Sequence, residues 1–270
     1  MKKREIKIAL GQMKVEQGNT KANIDKMLKM IEDAANQNVD IICFPELANT
    51  GYFLSSEDLQ KLAETKNGPF IQLLKEKAKD LKIHIIAGYT EVDQIISGRI
   101  YNSCIFIDDN GEIIENMRKV YLWGQEKLKF RAGESFPVVK TKFGKIGMLI
   151  CYDVELPEPS RIEALKGAEL IFVSAVWSIP AERRWDVDLA GNALFNLLFI
   201  AGCNPVEDNC CGKSKVVGPN GEIVIEASKT EEELVVAIID LNKVIELRSK
   251  IPYLNDFKED TFSIEALNKY

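Results

Sequence analysis

Apolar residues along the chain fall into short runs that alternate with stretches of helical period. Ile6 to Leu10 reads as a first strand. A helix capped at Asn19 or Thr20 runs to about Asn38, with Ile24, Leu28, Ile31 and Ala35 on one face. Val39 to Phe44 is a second strand, and Gly68-Pro69 opens a helix that spaces Phe70, Leu73, Leu74 and Ala78 along one side. Ile83 to Tyr89 is a strand. Tyr101 to Ile107 and Glu112 to Met117 flank Asp108-Asp109-Asn110-Gly111, a hairpin signal. Lys119 to Glu134 is polar and aromatic without a clean period. Phe136 to Thr141 and Lys145 to Ile150 form a strand pair around Gly144. A helix covers about Glu158 to Lys166, Glu169 to Ser174 is a strand, and a helix spans about Ala181 to Leu198. Phe199 to Cys203, Lys213 to Val217, Ile223 to Glu226 and Leu234 to Asp240 are strands, with a turn at Pro219-Asn220-Gly221-Glu222. A short helix follows Leu241.

These strands outnumber what one open sheet usually holds. Two packed sheets with helices on their outer faces would bury them all, an α/β architecture. No Pro/Gly/Ser-rich linker divides the chain. The reading is a single domain over 1–270 with a polar C-terminal tail from about residue 248. At 270 residues, 46% hydrophobic and 28% charged, such a domain has ample core. The net charge of −6 and the lack of a basic run argue against a nucleic-acid partner. No apolar run reaches the roughly 18 residues of a membrane span, and the one after Arg4 is too short for a signal peptide. Six cysteines without a C-x-x-C pair read as reduced, cytoplasmic usage. The single histidine, His84, sits inside an apolar run and reads as a core residue, so neither a metal nor a cofactor is expected.

Candidate chemistry lies where strands end. Lys145 to Ile150 is a short buried strand, Cys151 stands where it runs out, and Pro157 opens the next helix. Open α/β sheets place ligands at this position, and backbone N–H groups there favour a thiolate or an oxyanion. A buried structural cysteine fits the same pattern. A cysteine nucleophile needs a base, and His84 lies mid-strand, so the base is sought among carboxylates. Glu46 follows the second strand in Phe44-Pro45-Glu46-Leu47, and Lys119 opens the aperiodic segment. Taken alone, Glu46 also fits a solvated carboxylate and Lys119 a surface lysine.

Three blocks, taken together, resemble the carbon–nitrogen hydrolase (nitrilase) superfamily. They are Phe44-Pro45-Glu46-Leu47 with Gly51-Tyr52; Arg118-Lys119-Val120-Tyr121-Leu122-Trp123-Gly124; and Ile150-Cys151-Tyr152-Asp153 with Pro157-Glu158 and Arg161. The likeness continues through Arg184-Trp185, the Gly218-Pro219-Asn220-Gly221-Glu222 turn and Asp240-Leu241. The resemblance implies a four-layer α-β-β-α sandwich, dimerised through one helical layer. It implies a Glu46, Lys119, Cys151 triad, with Glu46 as general base, Lys119 as the cation beside the thiol, and Lys119 with the Tyr152 backbone N–H as oxyanion donors. It also implies a second carboxylate at Glu126, whose other reading is a solvated loop residue. Tyr52, Trp123 and Trp177 are candidate substrate-binding aromatics, with core filling as the alternative.

Departures from the family pattern narrow the activity. Tyr152 stands where nitrilases usually carry Trp, which favours an amidase-type branch. Val154 and Glu155 occupy the places where D-carbamoyl-amino-acid hydrolases hold a substrate carboxylate with arginines, unless Arg183 or Arg184 supplies that clamp. Phe195 replaces a Glu in the late helix. The resulting expectation is hydrolysis of a small linear amide through a Cys151 thioester with release of ammonia, by a homodimer or larger homo-oligomer. A carbamoyl amidase and a catalytically idle binding subunit are the alternatives.

Overall fold

The computed structural model describes residues 3–207 and 209–258. The chain forms two six-stranded sheets. The first contains β1 (Glu5–Gln12), β2 (Ile41–Cys43), β3 (His84–Val92), β4 (Ile100–Ile107), β5 (Ile113–Arg118) and β12 (Glu233–Asp240), in the order β12-β1-β2-β3-β4-β5. The second contains β6 (Val138–Lys140), β7 (Lys145–Ile150), β8 (Leu170–Ser174), β9 (Phe199–Cys203), β10 (Lys215–Val217) and β11 (Ile223–Glu226), in the order β11-β10-β9-β8-β7-β6. Each sheet has a parallel centre, β1-β2-β3 or β7-β8-β9, with antiparallel strands at both sides. The helices α1 (Thr20–Asn36) and α3 (Pro69–Leu81) cross over in the first sheet, and α4 (Pro157–Leu165) and α5 (Glu182–Asn196) in the second. The two halves therefore repeat one strand-helix-strand-helix-strand plan.

Alternation along the strands explains the layering. Ile6, Ile8 and Leu10 of β1 join the core between the sheets, whereas Ala9 packs in the cluster that contains Met27, Ile31 and Ala34 of α1 and Phe70, Leu74 and Ala78 of α3. Trp185, Leu189 and Ala193 of α5 cover the second sheet. This is the expected four-layer α-β-β-α sandwich.

Element boundaries differ from the sequence reading for local reasons. The buried face of α1 is centred on Asn23, Met27, Ile31 and Ala34, flanked by the expected Ile24, Leu28 and Ala35. Asn23 is drawn inward because its Nδ2 donates to the Glu16 and Asn49 carbonyls. Leu73 faces outward, and Ile71 takes its place in the core. Strand β6 is shorter than expected because Pro137 precedes it and has no N–H for a ladder. Strand β10 starts only at Lys215, because Gly212 and Lys213 have positive φ. Helix α2 (Ser56–Leu62) is an element the periodicity did not reveal. At the carboxyl end, α6 (Asn242–Lys250) continues through the point where a polar tail was expected to begin. The remainder of that tail, from residue 259, lies outside the described residues. Among the described residues no helix is long and apolar enough to cross a membrane.

Candidate active site

The carboxyl ends of β2, β5 and β7 converge. Past β2 the chain leaves the ladder at Phe44 and presents Glu46, which is buried. Two features fix this bend. Leu47 adopts a left-handed φ of 48°, and Gly88 of β3 lies directly against it. A Cβ on Gly88 would sit 2.5 Å from the Pro45 carbonyl oxygen and 2.7 Å from the Glu46 Cα, so only glycine admits this approach. Cys151 likewise has a φ of 47° at the first position of a 3-10 turn (Cys151–Val154). A left-handed non-glycine residue costs about 1–2 kcal/mol. The turn bears that strain while carrying the thiol off the strand end to the rim of a cavity.

Lys119 follows β5 and is fully buried, contrary to the surface lysine its local sequence also fits. Its backbone is held on both sides, with its N–H donating to the Asn102 carbonyl and its own carbonyl accepting from Gly133 N. Its Nζ donates to Glu46 Oε1 and to Glu126 Oε1, both at 2.7 Å. Glu126, on the 3-10 turn Gly124–Leu128, is buried rather than solvated and accepts from Trp123 N at 2.8 Å through Oε2. Glu46 has two further donors: Asn102 Nδ2 reaches Oε1 at 2.7 Å, and Val176 N reaches Oε2 at 2.8 Å. Val176 also links the carboxylate to the thiol, because its carbonyl accepts from Cys151 Sγ at 3.6 Å.

These contacts set the electrostatics. Burial works against the Lys119 charge, but Glu46, Cys151 and Glu126 outweigh it and hold the ammonium well above its ordinary pKa. Burial raises Glu46, with Lys119 pulling it down and Glu126 pushing it further up. Burial also raises the Cys151 thiol well above its usual value, helped by Glu46 and opposed by Lys119. The thiol thus rests beside a cluster in which one ammonium contacts two carboxyl groups. A thiolate formed at Cys151 would lie next to that ammonium.

Cys151 lines a cavity of about 120 Å³ together with Tyr52, Trp123, Tyr152, Trp177, Glu155 and Arg184. All three candidate aromatics are therefore in its wall. Tyr52 has its hydroxyl pKa raised by burial and then by the Glu46 and Glu126 charges. Trp123 meets Tyr152 edge-on at 4.9 Å, and Trp177 is buried with its Nε1 on the Ala181 carbonyl at 2.9 Å. His84 stays in the core, edge-on to Phe106 and Phe143, with its pKa lowered by burial. Among the described residues no cluster of His, Cys, Asp or Glu could hold a metal.

The carbon-nitrogen hydrolase family model matches residues 7–249. The chain belongs to the carbon-nitrogen hydrolase family. It is 32% identical over 247 residues to a probable nitrilase of Schizosaccharomyces pombe, covering 89% of this chain and 91% of that protein. It is 33% identical over 257 residues to a 2-oxoglutaramate amidase of Bacillus subtilis, covering 93% and 97%. Among solved structures it is similar to Saccharomyces cerevisiae Nit3, a member of branch 10 of the nitrilase superfamily. There the TM-score is 0.87 at 28% identity over 96% of this chain and 97% of that one. Family membership makes the chain a hydrolase of carbon–nitrogen bonds other than peptide bonds.

Sequence reasoning did not find the groups that brace this carbon-nitrogen hydrolase site. Asn102 interrupts a buried strand with a polar side chain, which is a usable signal. Asp153 is another. Its Oδ1 accepts from Tyr121 N at 2.8 Å and its Oδ2 from Ile150 N at 3.2 Å, tying the Lys119 segment to the cysteine turn. Burial pushes its carboxyl up to about 7. Asn204 braces the wall by accepting from Trp177 N at 2.6 Å.

Proposed function

We propose that the chain hydrolyses small linear amides through a Cys151 thioester and releases ammonia. The observation that carries this reading is a thiol at a cavity rim with a buried carboxylate–ammonium–carboxylate cluster behind it. In the first step Cys151 Sγ attacks the amide carbon while Glu46 takes its proton, and the carbonyl π electrons move to oxygen. Lys119 and the Tyr152 N–H stabilise that oxyanion. The carbon–nitrogen bond then breaks as Glu46 returns the proton to the leaving nitrogen, giving ammonia and an acyl thioester. A water molecule, losing a proton to Glu46 with Glu126 positioning it, attacks the thioester. The carbon–sulfur bond breaks, and the thiolate recovers the proton as the acid leaves. The net reaction consumes one amide and one water.

The test is an ammonia-release screen over short amides, carbamoyl compounds and nitriles, coupled to intact-mass measurement and peptide mapping. A slow substrate leaves an acyl mass on the Cys151 peptide, and Cys151→Ala shows neither that mass nor turnover. Amides outrun nitriles if Tyr152 marks the amidase branch. An acyl group on another cysteine overturns the mechanism. Six free cysteines fit a reducing cytoplasm. Ile162, Leu165, Leu194 and Phe195 expose apolar surface on the α4–α5 layer, which fits a homodimer built through it.

A further inference from the structure

The cavity carries charge that amide hydrolysis does not use. Glu155, just past the cysteine turn, and Arg184, in the first turn of α5, both line it. Arg184 Nε pairs with Glu155 Oε2 at 3.0 Å, and the guanidinium lies 5.6 Å from the Trp123 ring. Asp188 lies one turn further along α5. Its carboxyl is pushed up to about 6, first by burial and then by the Glu155 charge, with Arg184 opposing. Its Oδ2 is buried with no hydrogen-bond partner among the described residues. Burial raises Glu155 too, against the pull of Arg184 and Lys119. The Arg184 guanidinium is therefore already paired with Glu155.

We infer that the Glu155–Arg184 pair makes the cavity selective for amides whose far end is an ammonium or another hydrogen-bond donor, and that it rejects amides ending in a carboxylate. The inference rests on the amidase reading above. A substrate carboxylate would meet Glu155 beside a guanidinium that Glu155 already holds, and like charges brought together across a binding surface are strongly disfavoured. A substrate ammonium instead finds Glu155, a carboxylate on the same wall as the nucleophile. The cavity is small, about 120 Å³, so the chain between amide and far end is short. The 2-oxoglutaramate amidase relative is named for an amide that carries a carboxylate; on this inference the present cavity has the opposite preference.

The experiment compares kcat/KM of the full chain for three amides of similar length: γ-aminobutyramide, pentanamide and succinamate. Wild type prefers γ-aminobutyramide over succinamate by about tenfold or more, the scale of one mismatched charge contact. Glu155→Gln narrows that ratio, Glu155→Arg inverts it, and Arg184→Gln widens it. The wild-type ratio is itself decisive if a variant fails to fold. A wild-type preference for succinamate that disappears in Arg184→Gln overturns the inference and makes Arg184 a carboxylate clamp, with the amidase reading intact. Equal rates on all three amides also overturn it. If no amide of any charge is hydrolysed while iodoacetamide still alkylates Cys151, the amidase reading fails and this inference with it.

Discussion

Replacing Glu46 by Gln separates proton transfer from packing, and the structure sets the size of both effects. Three donors converge on this carboxylate: Lys119 Nζ and Asn102 Nδ2 on Oε1, and Val176 N on Oε2. A glutamine offers one acceptor oxygen, and its NH2 must face at least one of those donors. A buried donor left without an acceptor costs about 1–3 kcal/mol, so Glu46→Gln unfolds at a lower temperature than wild type. The kinetic loss is larger, because the amide cannot accept the thiol proton. General-base roles contribute roughly 10²–10⁴-fold, and no histidine stands by to replace this one. The thiol itself moves the other way. Glu46 raises the Cys151 pKa and Lys119 lowers it, so removing the carboxylate charge leaves Lys119 less opposed and more thiolate at neutral pH. The assay is steady-state ammonia release beside the rate of Cys151 alkylation by iodoacetamide, read by intact mass. Hydrolysis falls at least a hundredfold, in line with the loss of a general base, while alkylation holds or accelerates. If the variant keeps more than about a tenth of wild-type turnover, the carboxylate-base mechanism is wrong. If alkylation collapses together with turnover, the loss is structural and says nothing for a base.

On the proposed mechanism, Lys119→Ala loses an oxyanion donor, worth about 10²–10³ in rate. It also strands two buried carboxylates, a destabilisation of about 3–5 kcal/mol that a denaturant melt reads directly. The acid limb of kcat/KM against pH reports Glu46 losing its charge; because burial raises that carboxyl, the limb lies above the ordinary value of 4.5, and a limb at or below it refutes the assignment. Asp153 is raised from 3.8 to about 7, so its folded form holds a proton that the unfolded chain releases. Its contribution to stability is full below 3.8 and is lost as pH rises through about 7; urea melts across that window show a slope that Asp153→Asn removes. Phe195→Glu places a charge on the apolar α4–α5 surface and shifts a dimer toward monomer in sedimentation; a wild type that sediments as monomer at micromolar concentration refutes the dimer.

Much of the fold is legible because its central strands are buried on both faces and read as apolar runs with turn residues between them. Cys151 is legible for the same reason: the apolar run stops there and Pro157 begins a helix. Glu46 and Lys119 are not legible from their surroundings. They pair with each other across 73 residues of chain, and a local window sees only one charge beside a strand. The three family-like blocks identified them together. Val176 acts through backbone atoms, to which side-chain patterns are blind. Helix α2 did carry a signal. Ser55 Oγ accepts from Asp58 N and donates to Asp58 Oδ2, so Ser-x-x-Asp marks its start, but the helix is too short for periodicity to register.

The repeated plan of the two sheets explains why the site sits where it does. Glu46 leaves the first sheet after β2, and Cys151 leaves the second after β7. The two sheets are joined at this end by hydrogen bonds: Ser174 Oγ donates to the Phe44 carbonyl at 2.7 Å, Glu46 N to the Ala175 carbonyl at 3.3 Å, and Val176 N to the Glu46 carboxylate. Neither sheet alone holds both the thiol and the cluster beside it. Without the second sheet, Glu46 would lose the Val176 N–H and part of its burial, and its pKa would return toward the ordinary carboxylate value. Burial raises both Glu46 and Cys151, and the packing of one sheet on the other contributes that burial. Cys104 and Cys203 fill the core between the sheets, so enlarging either side chain is expected to shift the packing that brings Glu46 to the thiol, read as a fall in turnover with the Cys151 alkylation rate retained.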